Sequence, residues 1–394
     1  LLYLICIRYF FMSKNIILFG ATGSIGSSVL KILDKTNNKF CLKGITCNQK
    51  IDSLIDISNR YQCDNLGVSN ENLSNDKNEI LEKKNTVYGI KNFESFINDD
   101  IDIYILAISG LTGAALALKI AETGKTLAIA NKECIISLGK ILINKCSKFK
   151  TSIFPLDSEH NAIYQLLNQN HKAVKSITIT ASGGPFLNLD LNKFDSITPE
   201  QAIKHPKWEM GNKISVDSSN MMNKSLELIE AKNLFQLQPN QVDAVIHPQS
   251  IIHGILNYHD NSSYAFLSHP NMEIPISSLF FPNKNFRSNN HDLDLTKLKS
   301  LEFFEIDNER FPAFSLGKYI MQIDGIAPHL FNYINDKLVN LFLDGMIKYT
   351  KIVNFNERII ELYFKSHQNT NEPNIDDLNE SSIWVDENIK TIIN

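Results

Sequence analysis

An apolar run, Asn15 to Phe19 (NIILF), leads directly into Gly20-Ala-Thr-Gly-Ser-Ile-Gly26 and then into a helical pattern that continues to about Leu33. A strand that turns through spaced glycines into a helix commits a chain to a parallel βα arrangement. The helix must pack back over a sheet before the next strand can pair. The glycines permit a tight turn and close approach of backbone to a pyrophosphate, which then meets the N–H groups of the helix start. A dinucleotide site is expected here; the other reading is a purely structural turn.

The following segments extend the same α/β pattern. Lys43 to Cys47 is a second strand ending near Asn48, Gln49 and Lys50. An acid at this point selects a free ribose 2′-hydroxyl, whereas a basic residue suits a 2′-phosphate. With Lys50 there and no acid, NADP(H) is favoured over NAD(H). Ile101 to Ile108 (IDIYILAI) is a third strand, and Thr126 to Ala130 a fourth, reached through a helix at 112–123. Asn131, Lys132 and Glu133 follow it, where open α/β sheets bind ligands. They are candidate contacts to nicotinamide or substrate, or a solvated turn. Ser152 to Leu156 leads to Asp157-Ser158-Glu159-His160. If the chain is still extended there, alternation puts Asp157 and Glu159 on one side. Two converging carboxylates suit Mg²⁺ or Mn²⁺. His160 is either a third ligand or a structural histidine at a helix start.

Lys175 to Thr180 is a strand ending in Ser182-Gly183-Gly184, a candidate anion-accepting nest. The segment His205 to Gly211, with Trp208 and Met210 between Pro206 and Gly211, reads as a lid, or as a surface loop anchored by Trp208. From Ile214 a polar, extended start gives way at Asn220 to a helix whose apolar positions are Met221, Met222, Leu226, Leu228 and Ile229. Ser218, Ser219 and Asn220 are its expected caps. Asn223, Lys224 and Glu227 share one helix face. They either hold an anion and a cation side by side or form an ordinary solvated pair.

Val242 to Ile246, Ile251 to Leu256 and Tyr264 to Leu267 are expected strands of a second sheet, a candidate dimer interface. Residues 283–299 are polar and read as a linker. Helical patterns at 314–323, 326–342, 356–364 and 383–392 close the chain. The expected division is a leader at 1–11, a Rossmann-like NADPH domain at 12–156, a catalytic and dimerisation domain at 157–282, a linker at 283–305 and a C-terminal helical domain at 306–394. With 394 residues, two or three domains are in order. A net charge of −4 gives no basic footprint for nucleic acid. Six cysteines without C-x-x-C pairs argue against zinc or a disulfide framework and fit a reducing cytoplasm. The opening LLYLICIRYFF is too short to span a bilayer and lacks the flanks of a signal peptide, so Met12 is the expected start.

Several stretches together resemble one family, the 1-deoxy-D-xylulose 5-phosphate reductoisomerases of the non-mevalonate isoprenoid pathway. They are GATGSIGSS (20–28), GKTLAIANKE (124–133), PLDSEHNAIYQ (155–165), SGGPF (182–186), HPKWEMGNKISVDSSNMMNKSLELIEA (205–231) and IHPQSIIHG (246–254). The resemblance implies that Thr22, Gly23, Ser24 and Ile25 hold the NADPH pyrophosphate, with Asn48, Gln49 and Lys50 at the adenosine. Asn131, Glu133 and Gly211 would also lie at the cofactor. It implies Asp157, Glu159 and Glu227 as ligands of one divalent metal, Mg²⁺, Mn²⁺ or Co²⁺. Ser158 and Lys132 would contact the substrate backbone. Ser182, His205, Ser218, Asn223 and Lys224 would bind its phosphate, with Trp208 and Met210 on a closing flap. Lys132 and His205 join the metal ligands as catalytic candidates. A homodimer with no nucleic-acid or membrane partner is implied.

The chain departs from the family at Asn48-Gln49-Lys50, where relatives carry Gly-Lys-Asn, and at Pro270-Asn271-Met272, where Pro-Asp-Met is usual. Asn332-Tyr-Ile-Asn335-Asp336 replaces the common Asn-Ala-Ala-Asn-Glu run. Two rival functions are a semialdehyde-type dehydrogenase, which requires a reactive cysteine, and a nucleotide-sensing module that binds NADPH without turnover; Cys134 lies near the site in sequence but reads as a small buried residue.

Overall fold

The structure, a computed structural model, describes residues 13–37, 39–75, 79–169, 172–204, 211–282 and 292–393. The leader at 1–11 with Met12, the lid residues His205, Trp208 and Met210, and residues 283–291 of the expected linker lie outside them. The chain forms two compact units.

The first unit comprises the described parts of 1–134, 142–161 and 272–289. Its centre is a seven-stranded sheet in the order β4-β3-β2-β1-β5-β6-β7. The strands are β1 (Lys14–Phe19), β2 (Phe40–Cys47), β3 (Asn65–Val68), β4 (Asn85–Tyr88), β5 (Ile103–Leu106), β6 (Thr126–Ile129) and β7 (Ser152–Pro155). Every neighbouring pair is parallel. A central parallel strand has both faces covered, which is why Ile16 to Phe19 is an unbroken apolar run and is fully buried. The strand order reverses at β1, the place where such sheets open a ligand crevice at their carboxyl ends. β3 and β4 were not expected from the sequence: NLGV and NTVY are short and half polar, and they lie toward one edge. The helix Glu273–Phe280 returns to this unit, where Phe280 meets Phe40 edge-on at 4.9 Å and Glu273 pairs with Lys35 at 3.2 Å.

The second unit comprises 135–141, the described parts of 162–271, and those of 290–394. Its sheet has the order β11-β10-β8-β9, with β8 (Val174–Ala181), β9 (Val242–Ile246), β10 (Ile252–Tyr258) and β11 (Ser263–Leu267). Only the β8–β9 pair is parallel. The helices Pro312–Ile323, Ala327–Leu343, Lys351–Ser366 and Ile375–Ile393 belong to the same unit. The last begins well before the expected 383, because Leu378, Ser381, Val385 and Ile389 bury one stripe of a polar sequence. Within the expected linker, Leu295–Leu298 is a helical turn and Phe304 exchanges two backbone hydrogen bonds of 2.9 Å with Ile246.

The stretch from Ile214 differs from expectation. It is a helix, Asn212–Ser219, joined through an elbow at Met221 to a second helix, Met222–Leu234. Met221 takes a left-handed φ of 66°, unusual for a side chain with a Cβ. Ser218 and Ser219 end the first helix rather than capping the second. Of the three, Asn220 reaches the second helix, its Oδ1 accepting from the Met222 N–H at 2.9 Å. Nor is the second helix a surface helix. The Ser225 hydroxyl lies within hydrogen-bond distance of the Met221 and Ala313 carbonyls, which share its one proton, and Gly317 packs so closely that a Cβ there would lie 2.4 Å from the Ser225 Cβ. Burial on every side overrides the amphipathic pattern.

Candidate active site

In the first unit, the candidate groups follow the carboxyl ends of β1, β2, β6 and β7. Gly20 has φ +90°, and a Cβ on it would stand 2.4 Å from the Ala107 carbonyl oxygen, so only glycine fits this turn. The helix Ser24–Leu33 starts with Gly23 at its N-cap, without a side-chain cap and without an acid in its first turn. Gly23 and Ser24 are exposed, and Thr22 and Ile25 half-buried. A helix start left uncapped and uncharged presents its N–H groups to an anion. Asn48, Gln49 and Lys50 follow β2 and are all exposed, with Asn48 accepting from Ser69 at 3.0 Å.

After β6, Asn131 is buried and fully engaged. Its amide donates to the carbonyls of Ile108 and Gly110, and its oxygen accepts from the Cys134 N–H at 2.9 Å. It therefore clamps the end of β5 to the start of helix Lys132–Leu138. Lys132, also buried, places Nζ 3.2 Å from Asp157 Oδ2. The other Asp157 oxygen lies 3.3 Å from His160 Nδ1 and accepts from the Glu159 N–H at 3.3 Å. Glu159 stands in the first turn of helix Ser158–Gln169 and accepts from the Ser158 hydroxyl. The chain is thus already helical at Glu159, and strand alternation is not what groups the two carboxylates; the loop-to-helix turn does so. Their hard oxygens match a divalent cation's preference.

In the second unit, Asn223 and Lys224 each donate to one oxygen of Glu227. Lys224 is 4% exposed and Glu227 1%. Burying both charges is tolerable only because they are paired, and a solvated surface pair is excluded. Ser218, half-buried, ends the preceding helix. Ser182 accepts from the Gly184 N–H at 3.2 Å, and Gly183 and Gly184 have φ of +89° and +67°. A Cβ on Gly184 would lie 2.9 Å from the Ser218 carbonyl oxygen, so this glycine brings the Ser182 loop against Ser218. Gly211 is exposed at the N-cap of helix Asn212–Ser219.

The sequence reading missed a buried set around Ser218: Asp217, Ser219, Asn335 and Tyr349. Its traces in the sequence, the 205–231 stretch and the Asn332 to Asp336 run, lie about a hundred residues apart, and neither points to the other. Cys134 is wholly buried and burial pushes its thiol well above the usual range, so it offers no thiolate for the dehydrogenase rival.

Residues 16–139 match the family described as 1-deoxy-D-xylulose 5-phosphate reductoisomerase. Residues 153–235 and 267–388 match two C-terminal domains of the same enzyme. The reductoisomerase of Wolbachia pipientis subsp. Culex pipiens is 38% identical over 360 residues, covering 89% of this chain and 91% of its own. That of a Sulfurihydrogenibium species is 39% identical over 338 residues, covering 85% and 87%. Among solved structures, the Zymomonas mobilis reductoisomerase in complex with NADPH superposes with a TM-score of 0.85 at 33% identity, covering 95% of this chain and 97% of that one. A reductoisomerase complex with NADPH, fosmidomycin and magnesium gives 0.86 at 30% identity, covering 96% and 98%.

Proposed function

The chain belongs to the 1-deoxy-D-xylulose 5-phosphate reductoisomerase family, and from that premise we propose which of its residues carry the family's reaction. That reaction is the NADPH- and divalent-metal-dependent conversion of 1-deoxy-D-xylulose 5-phosphate to 2-C-methyl-D-erythritol 4-phosphate, a step of the non-mevalonate route to isoprenoid precursors. The observation that carries the assignment is a single parallel sheet bearing the glycine turn at the end of β1 and the Asp157–Glu159 pair after β7. Three strand spacings, about 14 Å, separate those strands.

Thr22, Gly23, Ser24 and Ile25 are assigned to the NADPH pyrophosphate, supported by the uncapped helix start. Asn48, Gln49 and Lys50 are assigned to the adenosine, and the exposed Lys50 suits a 2′-phosphate. Glu133 and Gly211 are assigned to the cofactor, with Asn131 holding the rim beside it. Asp157, Glu159 and Glu227 are assigned as metal ligands, an all-carboxylate oxygen set of the kind magnesium takes. When bound, the metal supplies Lewis-acid polarisation of the substrate's ketone and neighbouring hydroxyl. Lys132 then offers an ammonium donor beside Asp157 to substrate oxygens as the skeleton rearranges by retro-aldol and aldol steps, and Ser158 orients the substrate backbone. Ser182, His205, Ser218, Asn223 and Lys224 are assigned to the phosphate, so that binding energy remote from the reacting carbons orders them. Trp208 and Met210 are assigned to a flap that excludes water before hydride transfer.

A homodimer is part of this reading. β11 is an edge strand with Tyr264 and Leu267 exposed, a surface that a second copy suits. Cytoplasmic location is supported by the free thiols of Cys41, Cys47, Cys63, Cys134 and Cys146. Among the described residues no helix is long and apolar enough to cross a membrane. The test is NADPH consumption with 1-deoxy-D-xylulose 5-phosphate. Loss on chelation and recovery with Mg²⁺ or Mn²⁺ is expected; oxidation indifferent to chelator would defeat the metal assignment.

A further inference from the structure

Asp217 is 2% exposed, at the carboxyl end of helix Asn212–Ser219, and immediately precedes Ser218. A carboxylate so buried costs several kcal/mol unless its oxygens are satisfied, and an apolar residue of similar size would avoid that cost. Both oxygens have donors. Asn335, wholly buried on helix Ala327–Leu343, donates its amide to Oδ1 at 2.8 Å, and Lys213 Nζ lies 3.2 Å from Oδ2. On the other side of Ser218, the Ser219 hydroxyl donates to the Val216 carbonyl at 2.7 Å. Its single proton is thereby used, so the Tyr349 hydroxyl, 3.0 Å away, is the donor to it. Tyr349 is itself fixed edge-on against Phe186 at 5.4 Å and Phe342 at 5.7 Å.

Successive helix residues are turned by about 100°, so Asp217 and Ser219 point to either side of the direction opposite Ser218. Two directional bonds on that far side, both to C-terminal elements, fix the rotation of the helix about its axis. They also fix where Ser218 faces. We propose that Asp217, Asn335 and Tyr349 are positioning residues through which the C-terminal helices aim Ser218 at the substrate phosphate. The inference rests on the assignment of Ser218 to that phosphate.

The experiment compares Asn335→Asp, which sets two carboxylates against each other, with the swap Asp217→Asn/Asn335→Asp, which restores an amide–carboxylate pair. Wild-type turnover, measured first, tests the functional reading on its own. For Asn335→Asp, KM for 1-deoxy-D-xylulose 5-phosphate is expected to rise about tenfold or more, the worth of a hydrogen bond to a charged group. The expected kcat stays within roughly threefold and NADPH affinity is unchanged, and the swap returns KM to within about threefold of wild type. If Asn335→Asp fails to fold, Tyr349→Phe removes one hydroxyl only and is expected to raise the same KM severalfold with its melting temperature little changed. Wild-type KM in folded Asn335→Asp, no recovery in a folded swap, or wild-type KM in Tyr349→Phe where it stands in, overturns the proposal.

Discussion

Glu227 shows how much a single side chain can mean two things. Its spacing from Lys224 is that of any surface pair, and only burial separates the two readings. Asn223 and Lys224 each hold one of its oxygens, so it is oriented before any ligand arrives. Glu227→Gln keeps the volume and loses the charge a metal requires. Its kcat is expected to fall further than the roughly 10–100-fold of an outer-shell partner, with NADPH affinity retained. Steady-state rates with Mn²⁺, alongside NADPH fluorescence titration, check this; a kcat near wild type would remove Glu227 from the metal. Asp157, Glu159 and Glu227 stand out as candidates in the sequence because their short motifs are distinctive. Asp217 and Asn335 do not. They are partners across 118 residues, and no local pattern links them.

Elements were legible where the sequence is a continuous apolar run and hidden where the strand is short and half polar, as in β3, which is buried all the same. β5 and the Ile16 to Phe19 part of β1 are solid apolar runs and stand out. β3 and β4 draw their order from neighbours rather than from composition. The elbow at Met221 was invisible for a different reason. A left-handed residue inside a helical pattern leaves no periodic trace, and here tertiary packing holds it. The Ser182–Gly184 loop depends on this element geometry. Gly184→Ala places a Cβ 2.9 Å from the Ser218 carbonyl oxygen and adds left-handed strain of about 1–2 kcal/mol. A lower melting temperature and a raised substrate KM are expected together; an unchanged KM would separate the loop from the phosphate.

At the scale of the molecule, the C-terminal helices carry a pH-dependent term. His329 is buried on helix Ala327–Leu343, its Nε2 3.0 Å from the Ser382 hydroxyl of the last helix, and burial pushes its pKa down to about 4 from 6.5. Between those values the unfolded chain binds a proton that the folded chain refuses, so stability falls as pH drops through that window. Melting temperature measured from about pH 7 to about pH 4.5 is expected to fall less steeply in His329→Gln than in wild type. Parallel curves would show that His329 carries none of the effect.

The route of the chain between the two units bears on how the protein is made. The sheet of the first unit is complete in sequence at Pro155, yet the helix Glu273–Phe280, which packs on helix Ser24–Leu33 and against Phe40, is synthesised more than a hundred residues later. Residues 135–141 emerge early but belong to the later unit, where the Ile135 carbonyl accepts from the Asn233 amide at 3.1 Å. On the ribosome, neither unit can close before the chain has passed Phe280. At about 5–20 residues per second, the sheet waits several seconds for that helix during each round of translation. Completion of the first unit is therefore a late event in translation, whatever the stability of the finished protein.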